Sequence, residues 1–174
     1  LRRIAAEGKD WTTRQDIARL NTPEWLLKIW IEDYGLKGAL DIAVANLSEP
    51  PLDITLKNPD SAAHCAETLG ATILPTGGLR LQNAKMVQDL PGYNEGMWWV
   101  QDAAAAIPAQ LFGTLLREKG VIDLCAAPGG KTAQLASTGA TVTAVDRSAK
   151  RLQRLQENMR RLRLSPLVRT EVAD

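Results

Sequence analysis

The stretch from Val121 to Asp174 constrains this chain more than any other part of it. Val121 to Ala127 is an apolar run ending in Ala127-Pro128-Gly129-Gly130, and Lys131 to Ser137 then carries helical spacing. Thr141 to Val145 is a second apolar run, ending in Asp146. Ala149 to Leu162 has a helical apolar stripe of Leu152, Leu155, Met159 and Leu162, and Leu167 to Val172 is a third run ending in Asp174. Apolar runs of strand length alternating with helical patterns predict β-α-β-α-β, one half of a doubly wound parallel sheet.

Such a sheet receives its ligand beyond the carboxyl ends of the strands. Asp123-Leu-Cys-Ala-Ala-Pro-Gly-Gly-Lys-Thr132 lies there. Gly129 and Gly130 let the backbone approach a ligand, and the small Ala126 and Ala127 leave room above the strand. The following helix N-terminus offers free amides and a partial positive charge, suited to a carboxylate or a phosphate. Asp146 follows Gly130 by 16 residues. A strand-end acid there accepts hydrogen bonds from both hydroxyls of a ribose, and Asp174 at the same edge is placed for an adenine amino group. The bland reading of both is a helix cap.

The ligand class follows by elimination. A phosphate-cradling loop of the GxxxxGK[ST] kind requires glycine where Cys125 stands, and no GxGxxG is present. A nucleoside bearing a carboxylate fits better, and S-adenosylmethionine is such a molecule.

The rest of the chain reads as two smaller parts. Residues 10–46 are helical in pattern: Thr22-Pro23-Glu24 is a start signal, with Thr as N-cap, Gly35 is a plausible stop, and a second helix is expected from Lys37 to Ala45. After Pro50-Pro51, alternation at Leu52, Ile54 and Leu56 predicts a strand. Ser61 to Leu69 predicts a helix, and 71–74 and 79–81 predict short strands, together a small α+β unit closed by Leu90-Pro91-Gly92. Trp98-Trp99-Val100 is strand-like, with its aromatics expected in a core rather than stacking on bases. Asp102 to Leu116 is expected to be helical, distorted at Pro108.

Net charge is +1, but 147–174 hold eight Lys and Arg against three Asp and Glu. Lys150, Arg151, Arg154, Arg160 and Arg161 give the last helix a basic character suited to a polyanion or simply to water. No apolar run approaches the ~20 residues of a membrane span. Cys65 and Cys125 show no metal-ligand spacing, so no metal is expected, and a reducing cytoplasm is the default compartment. The chain opens on Leu1-Arg2-Arg3 without an initiator Met and is expected to be an internal stretch.

Leu-Cys-Ala-Ala-Pro-Gly-Gly-Lys-Thr resembles the first cofactor motif of the Sun (Fmu, RsmB-like) 16S ribosomal RNA cytosine-5 methyltransferases. Trp25-Leu-Leu-Lys-Ile-Trp-Ile-Glu-Asp-Tyr-Gly35 is similar to that family's linker after its NusB-like domain, and Val100-Gln101-Asp102 to its helix-opening motif. The resemblance implies a helical linker at 1–46, a small α+β RNA-recognition-like domain at 47–95, and the first half of a Rossmann-like class I methyltransferase domain at 96–174. It implies S-adenosylmethionine held by Cys125, Ala126, Ala127, Pro128, Gly129, Gly130, Lys131, Asp146 and Asp174, and 16S ribosomal RNA as substrate and partner. The family's Asp-Ala-Pro-Cys and Thr-Cys motifs are not found, so the chain is expected to carry no catalytic Cys and to be inactive alone. Cys125 reads as lining the cofactor, Cys65 as core, and His64 as a surface or capping residue. Two rivals stand beside this reading: a non-catalytic RNA-binding module, and a P-loop-like nucleotide hydrolase.

Overall fold

A computed structural model describes residues 15–82 and 86–173, with the backbone alone at Thr114. Asp174 and residues 10–14 of the expected first helical stretch lie outside the described residues. The chain divides into two compact units at Pro50/Pro51.

In the first unit α1 (Ile17–Leu20) is capped by Asp16, whose carboxylate accepts from the Arg19 amide at 3.1 Å. α2 (Glu24–Ala45) runs on from it, broken at Gly35, where φ is 71° and ψ is 168°. Pro23, not Thr22, stands at the N-cap of α2, one residue later than expected. The reason is local: the Thr22 hydroxyl donates backward to the Ala18 carbonyl at 2.8 Å and is unavailable to α2.

The second unit holds two sheets. β1 (Leu52–Leu56), β2 (Thr72–Ile73), β3 (Leu79–Leu81) and β4 (Trp98–Val100) form an antiparallel sheet of order β2-β3-β1-β4. β4 follows residue 95 in sequence yet pairs with β1 in the register Thr55–Trp99. α3 (Ala62–Leu69) packs Cys65 and Ala66 onto this sheet, in a core with Ile54, Leu79 and the fully buried Trp98. Cys65 and both tryptophans are therefore core residues. α4 (Ala103–Gln110) is capped by Asp102 and is shorter than its alanine-rich sequence suggested. Past Pro108 the chain tightens into a 3-10 turn at Gly113–Leu116.

β5 (Gly120–Leu124), β6 (Thr141–Asp146) and β7 (Val168–Val172) form the parallel sheet, in that order, joined by α5 (Gly130–Ser137) and α6 (Ala149–Arg161). This is the expected β-α-β-α-β half-sheet. Period-2 alternation sends Val142 and Ala144 of β6 into a core with Ala133 and Ala136 of α5 and Leu152, Leu155 and Met159 of α6.

The opposite face of β5 carries Ile122 and Leu124, which are 67% and 70% exposed. β5 pairs with β6 alone among the described residues, so its other edge offers free backbone groups beside apolar side chains. Open apolar edges recruit further strands. The chain is expected to self-associate, and Ile122→Lys to lower its mean mass in light scattering. A monodisperse monomer that the substitution leaves unchanged would show the edge to be inert.

Candidate functional site

The loop between β5 and α5 is shaped by short backbone bonds. The Ala126 amide donates to the Val145 carbonyl at 2.9 Å, tying the loop to the end of β6. The Gly129 amide donates to Ala126 O at 2.8 Å, closing a turn, and Gly129 O then accepts from Ala133 to begin α5. Cys125 has φ of 57° and an exposed thiol. Ala126, Ala127 and Gly129 are buried, Gly130 is half-buried, and Pro128 and Lys131 are exposed.

A cleft of about 410 Å³ opens above the loop. Cys125, Ala126, Ala127, Pro128, Gly130 and Lys131 line one side, Val100, Gln101, Asp102 and Ala105 the other, and Asp123 and Leu124 also contribute. Six of the seven expected loop residues thus meet in one cavity. Gly129 lies beneath, against Leu155 and Met159 of α6. The larger cavity, about 700 Å³, is lined by Thr55, Lys57, Arg117 and Gln134, and by none of the expected site residues.

Asp146 ends β6 on the buried side, with 3% of its surface exposed. One carboxylate oxygen accepts from the Ser148 amide at 3.0 Å and the other from the Ala127 amide at 3.2 Å. The Arg151 guanidinium sits 3.3 Å from the second oxygen and also donates to the Ala127 carbonyl. The Ser148 amide, then the Ala127 amide and the cations Arg151 and Arg147, hold this carboxyl below the usual range, against the opposing effect of burial. The acid is therefore anionic and joins the ends of both strands. A carboxylate has about four acceptor positions, and these three partners leave little of it idle.

The far wall of the cleft rests on polar groups that sequence reasoning did not place in the site. Trp99 Nε1 donates to Gln101 Oε1 at 2.9 Å, Gln101 Nε2 to Gln134 Oε1 at 3.0 Å, and Gln134 Nε2 to the Ala106 carbonyl at 2.9 Å. This buried relay fixes α4 against α5. Asp53 accepts a bidentate pair from Arg80 at 2.7 and 2.8 Å and also binds the Ala103 amide, pinning the start of α4 to β1. Arg151 and Asn158 were missed as well. Asn158 Nδ2 donates to the Pro128 carbonyl at 3.1 Å. A basic residue in the first turn after a strand-end acid is the signal the sequence offers for Arg151.

Not all of the basic helix faces outward. The Arg161 guanidinium lies 4.0 Å from the Tyr93 ring centroid and donates to Tyr93 O and Trp98 O at 2.6 and 3.1 Å. Lys150, Arg154 and Arg160 remain exposed. Among the described residues no helix is long and apolar enough to cross a membrane, and no group of three or more His, Cys, Asp or Glu is placed to hold a metal.

A glycine loop at the end of one parallel strand, beside an acid at the end of the next, is the arrangement found at the ligand edge of a Rossmann-like doubly wound sheet. Solved structures share the fold. One described as a methyltransferase homolog protein from Pyrococcus horikoshii superposes with a TM-score of 0.72 at 20% identity, covering 91% of this chain and 55% of that one. NSun6 from the same organism, solved with SFG, gives 0.68 at 17% identity over 87% of this chain and 65% of that one.

Residues 114–173 match the family described as 16S rRNA methyltransferase RsmB/F. The ribosomal RNA small subunit methyltransferase B of Pseudomonas putida is 36% identical over 94% of this chain. A probable counterpart from Synechocystis is 32% identical over 95%. The chain spans 40% of the length of each.

Proposed function

We propose that this chain is the cofactor-holding part of an enzyme that methylates carbon 5 of a cytosine in 16S ribosomal RNA. The observation that carries the reading is the coincidence of the family match at 114–173 with the half-sheet that bears the glycine loop and Asp146. The description of the matching family supports 16S RNA as substrate, and the SFG complex of a structural neighbour supports an S-adenosylmethionine site.

Bound S-adenosylmethionine supplies an electrophilic methyl group on sulfur. The residues present suit it. The α5 N-terminus and the exposed Lys131 offer positive charge to its carboxylate. Ala126, Ala127 and Gly130 bring the backbone close without side-chain bulk, and Asp146, anionic behind Ala127 at the end of β6, is assigned to the ribose. Cys125 and Pro128 complete the loop side, and Asp174 is assigned to the adenine. Exposed Lys150, Arg154 and Arg160 attract the RNA backbone without reading sequence. In the expected reaction a thiolate adds to carbon 6 of the base to make carbon 5 nucleophilic. Neither thiol of this chain is assigned that role: Cys65 is buried in the small-sheet core and Cys125 belongs to the cofactor loop.

Calorimetric titration with S-adenosylmethionine tests the reading. Wild-type chain is expected to bind, and Asp146→Asn to weaken binding roughly tenfold or more, the scale of a lost charge-assisted hydrogen bond. Binding that needs Mg²⁺ and ATP instead would favour a nucleotide hydrolase. Equal affinity of both proteins would remove Asp146 from the site.

A further inference from the structure

We propose that Arg151 and Asn158 of α6 are positioning residues for the cofactor loop, a proposal that rests on the site assigned above. Consecutive carbonyls of the loop are held from the same helix: Ala127 O by the Arg151 guanidinium and Pro128 O by Asn158 Nδ2 at 3.1 Å. Residues seven apart on a helix lie two turns apart on one face. Leu155 and Met159 share that face and back Gly129, so polar and apolar contacts draw the loop onto α6 together.

Two consequences follow for a ligand. A carbonyl turned toward the cleft would set its negative end against a carboxylate, and engagement by α6 keeps both of these carbonyls from doing so. Arg151 also bridges Ala127 to Asp146, whose own carboxylate accepts from the Ala127 amide. One residue of the loop is thereby fixed at both its N–H and its C=O, relative to the acid proposed to hold the ribose. The loop after β5 and the acid after β6 keep a set separation because Arg151 spans them. Arg154, one turn further on, has no described hydrogen bond to the loop and serves as the control.

Arg151 is half exposed, so its removal is expected to leave the core folded. Two measurements on the whole chain decide the proposal. In hydrogen exchange without ligand, Arg151→Ala and Asn158→Ala are expected to expose the 125–131 amides about tenfold faster, with Arg154→Ala unchanged. In titration with S-adenosylmethionine, Arg151→Ala is expected to bind roughly tenfold more weakly. Millimolar methylguanidinium should restore part of that loss in Arg151→Ala and do nothing for wild type, a rescue that a purely structural role would not give. Should Arg151→Ala fail to fold, Arg151→Lys replaces it, expected between the two because an ammonium satisfies one acceptor of the pair. Wild-type exchange in both alanine variants, or wild-type affinity in Arg151→Ala, overturns the proposal. A wild-type chain that binds no S-adenosylmethionine sinks the functional reading instead, and the exchange experiment still decides whether α6 holds the loop.

Discussion

Gly129→Ala is expected to lower the melting temperature by roughly 6–12 °C and to abolish measurable S-adenosylmethionine binding. Gly129 has φ of 106°, outside even the small left-handed region open to residues with a Cβ. A Cβ there would lie 2.9 Å from Leu155 Cγ and 3.3 Å from Met159 Cε. Both side chains are buried in the parallel-sheet core, and the Leu155 contact is to its branch point rather than to a flexible tip. Backbone strain of about 1–2 kcal/mol adds to overpacking of about 1–3 kcal/mol. The loop can escape only by lifting off α6, which carries Ala127 and Pro128 away from Arg151 and Asn158. Adding Leu155→Ala should relieve the contact but not the backbone strain, so the double variant should be less destabilised than the sum of the singles. Thermal unfolding followed by circular dichroism reads the first effect and calorimetry the second. A melting point within 2 °C of wild type would mean that the loop has room this packing denies it.

Gly96→Ala is expected to cost about 2–4 kcal/mol, with no direct effect on the residues of the cleft. Gly96 has φ of 70°, and a Cβ on it would lie 2.2 Å from the Arg161 carbonyl oxygen and 3.0 Å from its carbon. The obstacle is backbone at the end of a helix, so the turn at 92–96 must move instead. That turn is where the antiparallel sheet meets the end of α6. Arg161 covers Tyr93 and bonds Tyr93 O and Trp98 O, and Lys57 Nζ donates to Leu162 O at 2.8 Å. Displacing the turn breaks these together and loosens the seat of Trp98. The expected result is a lower melting point with faster amide exchange at 92–100 and at the C-terminal turn of α6. Unchanged exchange at both places would show that the contact is not what joins the layers.

The half-sheet was legible because its signals are local. Val142 and Ala144 alternate, Leu152, Leu155 and Met159 recur at helical spacing, and glycines interrupt the chain between them. Each of these is decided within a few residues. The small sheet was legible strand by strand but not in its order. β4 sits 42 residues after β1, and nothing near Trp98 announces that it pairs with Leu56. Thr22 misled by a single position because a hydroxyl has two backbone groups within reach and the sequence does not say which it takes.

The site divides in the same way. The sequence by itself determined the loop at 125–131 and the acid at 146, since small residues, glycine and a strand-end carboxylate are dictated by backbone geometry within one β-α-β unit. Tertiary structure alone decided what holds them. Gln101 reaches Gln134, Asp53 reaches Ala103, and Arg151 and Asn158 reach the loop across 24 and 30 residues of chain. A long polar side chain on a helix is equally content in water, so its sequence position carries no sign of a partner. Only the approach of a second backbone, fixed by the packing of α6 on the sheet, turns that surface charge into a hydrogen bond.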